Sequence, residues 1–392
     1  MGEIPLEALR GAAASRRELV VALQRRLHRI PELAFQERES TRLVQEFLGE
    51  RGVPFDTLGS ETGGAAVLGD GEPVLILRAD LDALPVTEAH DGPHCSGNPG
   101  VMHACGHDAH VAMLLATVDA LAAAAVPFSG RVVCLFQPAE EGGGGCARFL
   151  ERGLLERYPA RAAVALHVWP QLATGSVALA PGPVMAGMDT FALQFAGRGG
   201  HGAYPHACID PVVMAAEAVL ALQTLVSRRV DPLHAAVVTV GRIQGGTASN
   251  IIPDTVEVEG TLRAFTPEVR DTLMQGIRDI SAGIAQAHRG ACRCMFTAGY
   301  PVTTNHPGAT ETLRAALEPL LGADRVVSSQ PTMGSEDMSF LLAQVPGCYL
   351  RLGAAADPTT AAPLHSSRFR IDEDCLPVGI ATLLAAVCAL GS

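Results

Sequence analysis

Lysine is absent from all 392 residues, so every basic side chain other than histidine is arginine. That removes Schiff-base catalysis, a pyridoxal-phosphate anchor and the phosphate-binding lysine of a P-loop together. Positive charge is scarce as well. The formal net charge of −12 leaves no basic footprint for nucleic acid and no polybasic patch for a membrane surface. Aromatic residues make up 4% of the chain, whereas hydrophobic residues reach 48%, with alanine prominent among them. This is the composition of a compact soluble α/β protein rather than a disordered one. The longest apolar stretch near the motifs described below, Val111 to Val126, is interrupted by Asp119 and too short to span a bilayer. Met1-Gly-Glu-Ile-Pro5 lacks the charged and apolar regions of a secretory signal. The ten scattered cysteines are therefore expected to be reduced thiols in a cytoplasmic protein, and Cys292-Arg-Cys294 reads as alternate positions on a strand rather than as a metal pair. The expected partner is a small-molecule substrate.

A chain of this length is long for one core, so two domains are the natural prior. Amphipathic helical patterns cover 15–30 and 37–51, short apolar strands are predicted at 65–68, 74–77, 131–136 and 162–167, and helices at 109–125 and 145–155. Strands alternating with helices predict an α/β domain with a mainly parallel sheet covered on both faces. From residue 189 the order changes to strand 189–196, helix 210–228, strands 235–243 and 255–263, helix 267–288 and strand 291–297. This β-α-β-β-α-β succession is the split pattern of a ferredoxin-like module. Motif stretches resume only after it. The expected division is a discontinuous catalytic domain, 1–185 plus 298–392, interrupted by an inserted domain, 186–297.

Four short stretches carry the chemistry: Arg78-Ala-Asp-Leu-Asp-Ala-Leu-Pro85, Met102-His-Ala-Cys-Gly-His-Asp-Ala-His110, Pro138-Ala-Glu-Glu141 and Leu364-His365. They combine thiolate, imidazole and carboxylate groups, the ligands that borderline-soft divalent cations take. Ligands collect at the carboxyl ends of strands in open α/β sheets. Strand 74–77 leads to Asp80 and Asp82, 131–136 to Glu140 and Glu141, and 162–166 to His167. Cys105 and His107 can share one coordination sphere, with Gly106 easing the tight backbone between them. A thiolate also has lone pairs enough to bridge two cations. His103 and His110 are further imidazoles in the same stretch. Neighbouring side chains on extended backbone point different ways, so one of Glu140 and Glu141 can bind metal while the other takes a proton from water. The glycines 142–145 that follow let backbone pack close to a site. An aspartate at 80 or 82 can bind metal or orient a ligand histidine, the second role being favoured for Asp82. His167 and His365 are additional candidate ligands.

In this set and order the chain resembles the M20 family of metallopeptidases and amidohydrolases, in particular the amidohydrolase branch with hippurate hydrolases, auxin-conjugate hydrolases, N-acetyl-diaminopimelate deacetylases and related aminoacylases. The resemblance spans essentially the whole chain. It includes Phe136-Gln-Pro-Ala-Glu-Glu141, Leu166-His-Val-Trp-Pro170, Gly199-Gly-His-Gly-Ala-Tyr-Pro-His206, Ala248-Ser-Asn-Ile-Ile-Pro253 and Gly334-Ser-Glu-Asp337. It implies a zinc-peptidase-like catalytic domain with an inserted lid that commonly forms a homodimer interface. It further implies two divalent metal ions (zinc, manganese, cobalt or nickel), bridged by Cys105 and completed by His107, Glu141, His167 and His365. Glu140 becomes the general base and Asp82 steadies a ligand, while Asp80 stands where other branches carry a ligand histidine. His201 matches the lid histidine that stabilises the oxyanion, and Asn250 and Arg263 match positions that bind the substrate carboxylate, for which a guanidinium fork is suited. The implied reaction is hydrolysis of an N-acyl amino acid (N-acetyl, N-benzoyl or similar) to a carboxylic acid and a free amino acid. A dipeptidase or carboxypeptidase on the same dinuclear site is the near alternative. Thiol catalysis, with Cys105 as nucleophile and His107 as base, predicts activity that survives chelation. Intact Glu140 and the five candidate ligands argue against a binding protein that merely keeps the fold.

Overall fold

The computed structural model describes residues 5–391; Met1–Ile4, on which the reading of the amino terminus falls, and Ser392 lie outside the described residues. The chain forms two compact units: Met1–Val184, Thr304–Gln330 and Asp337–Ser392 make the first, Met185–Thr303 and Pro331–Glu336 the second.

The first unit is built on an eight-stranded sheet in the order Phe55–Asp56, Gly64–Gly69, Arg131–Gln137, Val74–Asp80, Ala162–Ala173, Gly347–Ala355, Val177–Ala178, Val326–Val327. The four strands from Arg131–Gln137 to Gly347–Ala355 run parallel. Gly64–Gly69 and Val177–Ala178 join them antiparallel on either side, and the edge strand Val326–Val327 pairs parallel to Val177–Ala178, so the sheet is mixed around a parallel centre. Chain length explains the edge: the four residues between Gly69 and Val74 cannot contain the crossover of a dozen or more that parallel strands need. Val74–Asp80 and Gly347–Ala355 are buried along their whole length, as continuous apolar strands in a doubly covered sheet must be. Helix His107–Ala122 is buried on nearly every side, packed against Val74–Asp80 and the helices Arg17–His28 and Cys375–Leu390.

Three local departures from expectation have simple causes. The helix expected at 145–155 is two, Gly145–Glu151 and Leu154–Arg157, because Gly153 turns left-handed between them with φ 85°. Ala162–Ala173 does not end at His167. It pairs with Val74–Asp80 only as far as Ala165 but with Gly347–Ala355 as far as Ala173. His167 therefore lies inside the paired stretch on one side and just past the end of the pairing on the other. Strand Gly347–Ala355 and helix Cys375–Leu390 carry no predicted element: Arg351 and Gly353 interrupt the strand's apolar run, and the helix is apolar nearly all round instead of along one stripe.

The second unit has its own sheet, antiparallel throughout, in the order Ala236–Gly245, Thr255–Ala264, Gly187–Ala196, Ala291–Ala298. Helices Pro211–Arg229 and Pro267–Ala287 close a separate core that includes Phe191, Phe195, Leu222, Leu273 and Ile277. Both begin on a side-chain cap followed by proline: Asp210 accepts from the Val212 N–H and Thr266 from the Val269 N–H. Pro211–Arg229 is long and apolar enough to cross a membrane by length and composition, but its buried residues Met214, Ala218, Leu222 and Leu225 belong to this core. The distant stretch Pro331–Glu336 joins this unit through main-chain bonds, the Ala186 N–H donating to the carbonyls of Thr332 and Gly334.

Candidate metal centre

The centre starts from one glycine. Gly106 caps helix His107–Ala122 with φ 82°, and a Cβ there would lie 2.4 Å from Val168 Cγ2. Only glycine fits both demands, and the turn places Cys105 and His107 side by side. Cys105 Sγ lies 3.4 Å from His167 Nε2. The Nδ1 of His107 hydrogen-bonds the Asp82 carbonyl at 2.8 Å and that of His167 the Val168 carbonyl at 2.7 Å. Each Nδ1 therefore donates, which leaves Nε2 as the nitrogen each ring can turn to a ligand. His365 holds a left-handed backbone, φ 65°, with its N–H tied to the Ala104 carbonyl, and its Nε2 lies 3.1 Å from Glu141 Oε1. Strain of this kind persists only where surroundings impose it.

Of the five groups of candidate donors among the described residues, two contain Cys105. Ligand atoms of Cys105, His107 and His167 lie within 4.8 Å of one another, as do those of Cys105, Glu141 and His365. The groups share the cysteine. His107 Nε2 is buried with no hydrogen-bond partner among the described residues, and buried Glu141 Oε1 is set against another candidate ligand, His365. Leaving a buried nitrogen such as His107 Nε2 unsatisfied costs about 1–3 kcal/mol, and a divalent cation is the partner this sulfur, nitrogen and oxygen set suits. The residues fit a metal.

The electrostatics agree. Burial pulls His107 down, but Asp80, Asp82 and Glu141 outweigh it and raise its pKa to about 10. The pocket thus has more negative charge than its own side chains neutralise. Burial, helped by Glu141 and Glu140, pushes the Cys105 thiol well above its ordinary range. A neutral buried thiol is a poor nucleophile, which weighs against thiol catalysis, whereas a bound cation would hold it as thiolate.

The glutamate pair is held from behind. Asp82 Oδ1 accepts the Glu140 N–H and Oδ2 the Glu141 N–H, each at 2.9 Å. The aspartate therefore orients His107 with its carbonyl and the glutamates with its carboxylate. The Asp337 N–H reaches Glu140 Oε1 at 3.4 Å, and the Asp337 carboxylate is fixed by Arg78, Gln137 and the Cys146 N–H. The glycine run packs closely as expected, since a Cβ at Gly145 would fall on the Pro138 carbonyl oxygen.

Other candidates divide. His110 uses both nitrogens, Nδ1 against Asp80 Oδ1 at 2.5 Å and Nε2 accepting from the Val168 N–H at 2.9 Å, so no lone pair is left for a metal. Asp80 is occupied by His110 and Arg78. His103 is buried, with its pKa lowered to about 4 by that burial, and belongs to no donor group among the described residues. In the second unit, His201 pairs with Ile251, and the Gly202 N–H donates to the Asn250 carbonyl, so His201 and Asn250 are neighbours on one exposed two-stranded ribbon. Arg263 sits elsewhere, its Nη1 donating to the Met333 carbonyl and Ser335 Oγ. Two carboxyl groups escaped sequence reasoning, Glu37 beneath the glutamate loop and Asp337 beside Glu140. The signal for Asp337 was its place in a motif; Glu37 offered none.

Residues 76–389 match Peptidase family M20/M25/M40. The chain is 39% identical to an IAA-amino acid hydrolase ILR1-like 4 of Arabidopsis thaliana, over 92% of this chain and 83% of that one. It is 37% identical to an N-acetyl-L-cysteine deacetylase of Bacillus subtilis, over 91% and 84%. Among solved structures, the Bacillus subtilis YXEP protein, described as a dinuclear metal binding peptidase from the M20 family, superposes with a TM-score of 0.83 at 30% identity, covering 95% of this chain and 98% of that one.

Proposed function

The chain belongs to the M20 peptidase family and is a hydrolase of its amidohydrolase branch; from that premise we propose that it cleaves the amide bond of N-acyl amino acids, releasing a carboxylic acid and the free amino acid. The observation that carries the reading is the pair of donor groups sharing Cys105, set beside a glutamate loop whose successive amides are fixed by Asp82. Cys105, His107, Glu141, His167 and His365 would hold two divalent cations. Such cations, when bound, acidify water and polarise the amide carbonyl.

The chain's own groups do the rest. Glu140 takes the proton from the attacking water and delivers it to the departing amine nitrogen. Asp82 aims both glutamates and sets the His107 tautomer. In the second unit, His201 donates to the developing oxyanion, and Asn250 with the Arg263 fork binds the substrate carboxylate. The same proposal assigns 186–297 as a ferredoxin-like lid and dimerisation domain inserted into a catalytic domain of 1–185 and 298–392, acting in a cytoplasmic homodimer. Zinc, manganese, cobalt and nickel all suit the donor set.

The test is Glu140→Gln. Turnover should fall about 10²–10⁴-fold, the scale of lost general acid–base catalysis, with bound metal unchanged by elemental analysis. Substantial residual activity sinks the assignment. A second reading, dipeptidase or carboxypeptidase, is favoured by the name peptidase for the YXEP protein. Chelator-stripped enzyme, restored with Mn²⁺, Zn²⁺ or Co²⁺ and offered N-acetyl and N-benzoyl amino acids beside dipeptides, separates the two. Cleavage of dipeptides alone selects the second.

A further inference from the structure

Glu37 belongs to no motif. It stands at the turn before helix Arg38–Gly49, yet it is completely buried. Its Oε1 accepts two main-chain hydrogen bonds, from the N–H of Phe35 and of Ala139, each at 2.9 Å. Both donors are non-glycine residues in left-handed backbone, with φ 61° and 56°. L-residues hold that conformation only when their surroundings impose it. One oxygen thus clamps two strained turns, and the second immediately precedes Glu140. From there Asp82 takes the next two amides, so the N–H groups of 139, 140 and 141 are gripped in succession by two buried carboxyl groups. The other Glu37 oxygen, Oε2, is buried without a hydrogen-bond partner among the described residues. A merely structural turn has a simpler solution, since glycine at 139 adopts the same φ with no acceptor beneath it.

We propose that Glu37 is a positioning residue for Glu140: by accepting the Ala139 N–H, it fixes the left-handed turn that aims the Glu140 carboxyl at the reacting water. The inference rests on the base role proposed for Glu140. It acts through the geometry of one acceptor oxygen, so its signature is loss of kcat with substrate affinity and metal content intact.

The experiment uses the full-length, metal-restored enzyme. Glu37→Gln keeps an acceptor in place and should hold kcat within about threefold. Glu37→Met keeps the volume without the acceptor and should lower kcat about 30- to 100-fold at unchanged KM and bound metal, the scale of an ångström's misplacement. If Glu37→Met does not fold, Glu37→Asp, shortened by one methylene, serves in its place with the same expectation. Ala139→Gly alone should stay within about twofold of wild type. Added to the impaired Glu37 variant it should recover about tenfold of the loss, because glycine holds the turn unaided. Retained kcat in the acceptor-less variant, parallel loss of bound metal, or no rescue by Ala139→Gly each overturns the inference. Glu140→Gln in the same assay separates the layers. If it stays active, the base assignment fails and takes the inference with it; if it is dead while Glu37→Met is active, the inference alone fails.

Discussion

The two units hold their candidate groups in opposite ways. In the first, His107 and His167 are buried and each is fixed through Nδ1 to a carbonyl, while Glu140 and Glu141 are aimed by bonds to their own amides. In the second, His201 and Asn250 are exposed on a short ribbon, and Arg263 donates through Nη1 to the Met333 carbonyl and Ser335 Oγ. Bond-breaking chemistry tolerates little misplacement, so its groups are over-determined by packing. If the second unit's groups bind substrate as proposed, side chains that can adjust suit that role, and exposed connecting segments are where such variation is tolerated. The contrast predicts that small changes at the Cys105–His107 turn of the first unit strike turnover and metal together, whereas larger changes at the groups proposed to bind the substrate carboxylate in the second strike affinity alone.

The largest effect should come from the smallest atom. Gly106→Ala adds a methyl group at φ 82° and 2.4 Å from Val168 Cγ2. The strained conformation alone costs about 1–3 kcal/mol, and relief of the overlap must move Cys105, His107 or the strand bearing His167. Activity with added Mn²⁺ should fall about 100-fold or more, with substoichiometric metal by elemental analysis. A variant with full metal and near-normal turnover would show that the glycine is a convenience of packing.

Arg263→Ala is the milder break. With the guanidinium gone, KM for N-acyl amino acids should rise about 10- to 100-fold, the worth of charge-assisted hydrogen bonds of about 1.5–3 kcal/mol, at nearly constant kcat and metal content. Substrates whose carboxylate is amidated should be indifferent to the change. Equal losses on acid and amide substrates would refer the effect to the Met333 and Ser335 contacts instead.

Which features were legible follows from sequence distance. Cys105 and His107 are two residues apart and Glu140 and Glu141 adjacent, so their chemistry is visible as a local pattern, and the glycines among them announce tight turns. The supports are long-range. Glu37 meets Ala139 across 102 residues and Arg78 meets Asp337 across 259, and no periodicity connects either pair. The fold divides the same way. Val74–Asp80 and the helices capped by Asp210 and Thr266 follow local rules, whereas Gly347–Ala355 becomes a central strand only because Ala162–Ala173 offers its free edge. His110 is the converse case: it lies in the densest motif but outside the five expected ligands, and its two nitrogens serve the scaffold.

The smallest effect on turnover is expected one layer behind the metal helix, where His28 Nδ1 lies 2.7 Å from Asp108 Oδ2 and Nε2 3.3 Å from Glu88 Oε1. Burial pulls His28 down, but the two carboxylates outweigh it and raise its pKa to about 9. Burial raises Asp108, and His28 more than reverses this, lowering it to about 2, so Asp108 stays ionised at neutral pH. Because the folded pKa of His28 exceeds the unfolded value of about 6.5, its stabilisation is complete below about pH 6.5 and fades as pH rises through 9. The whole contribution is about 3 kcal/mol to order of magnitude. His28→Gln keeps a donor for Asp108 but does not titrate. Urea unfolding of metal-loaded protein from about pH 5.5 to 9.5 should therefore show wild type losing stability relative to the variant across that window, while kcat at neutral pH stays within about twofold. Parallel stability curves would remove the His28 charge from the account. A tenfold fall in kcat without a change in stability would mean that this outer pair also aims the ligands, and that the tightly held region extends a layer deeper than His107.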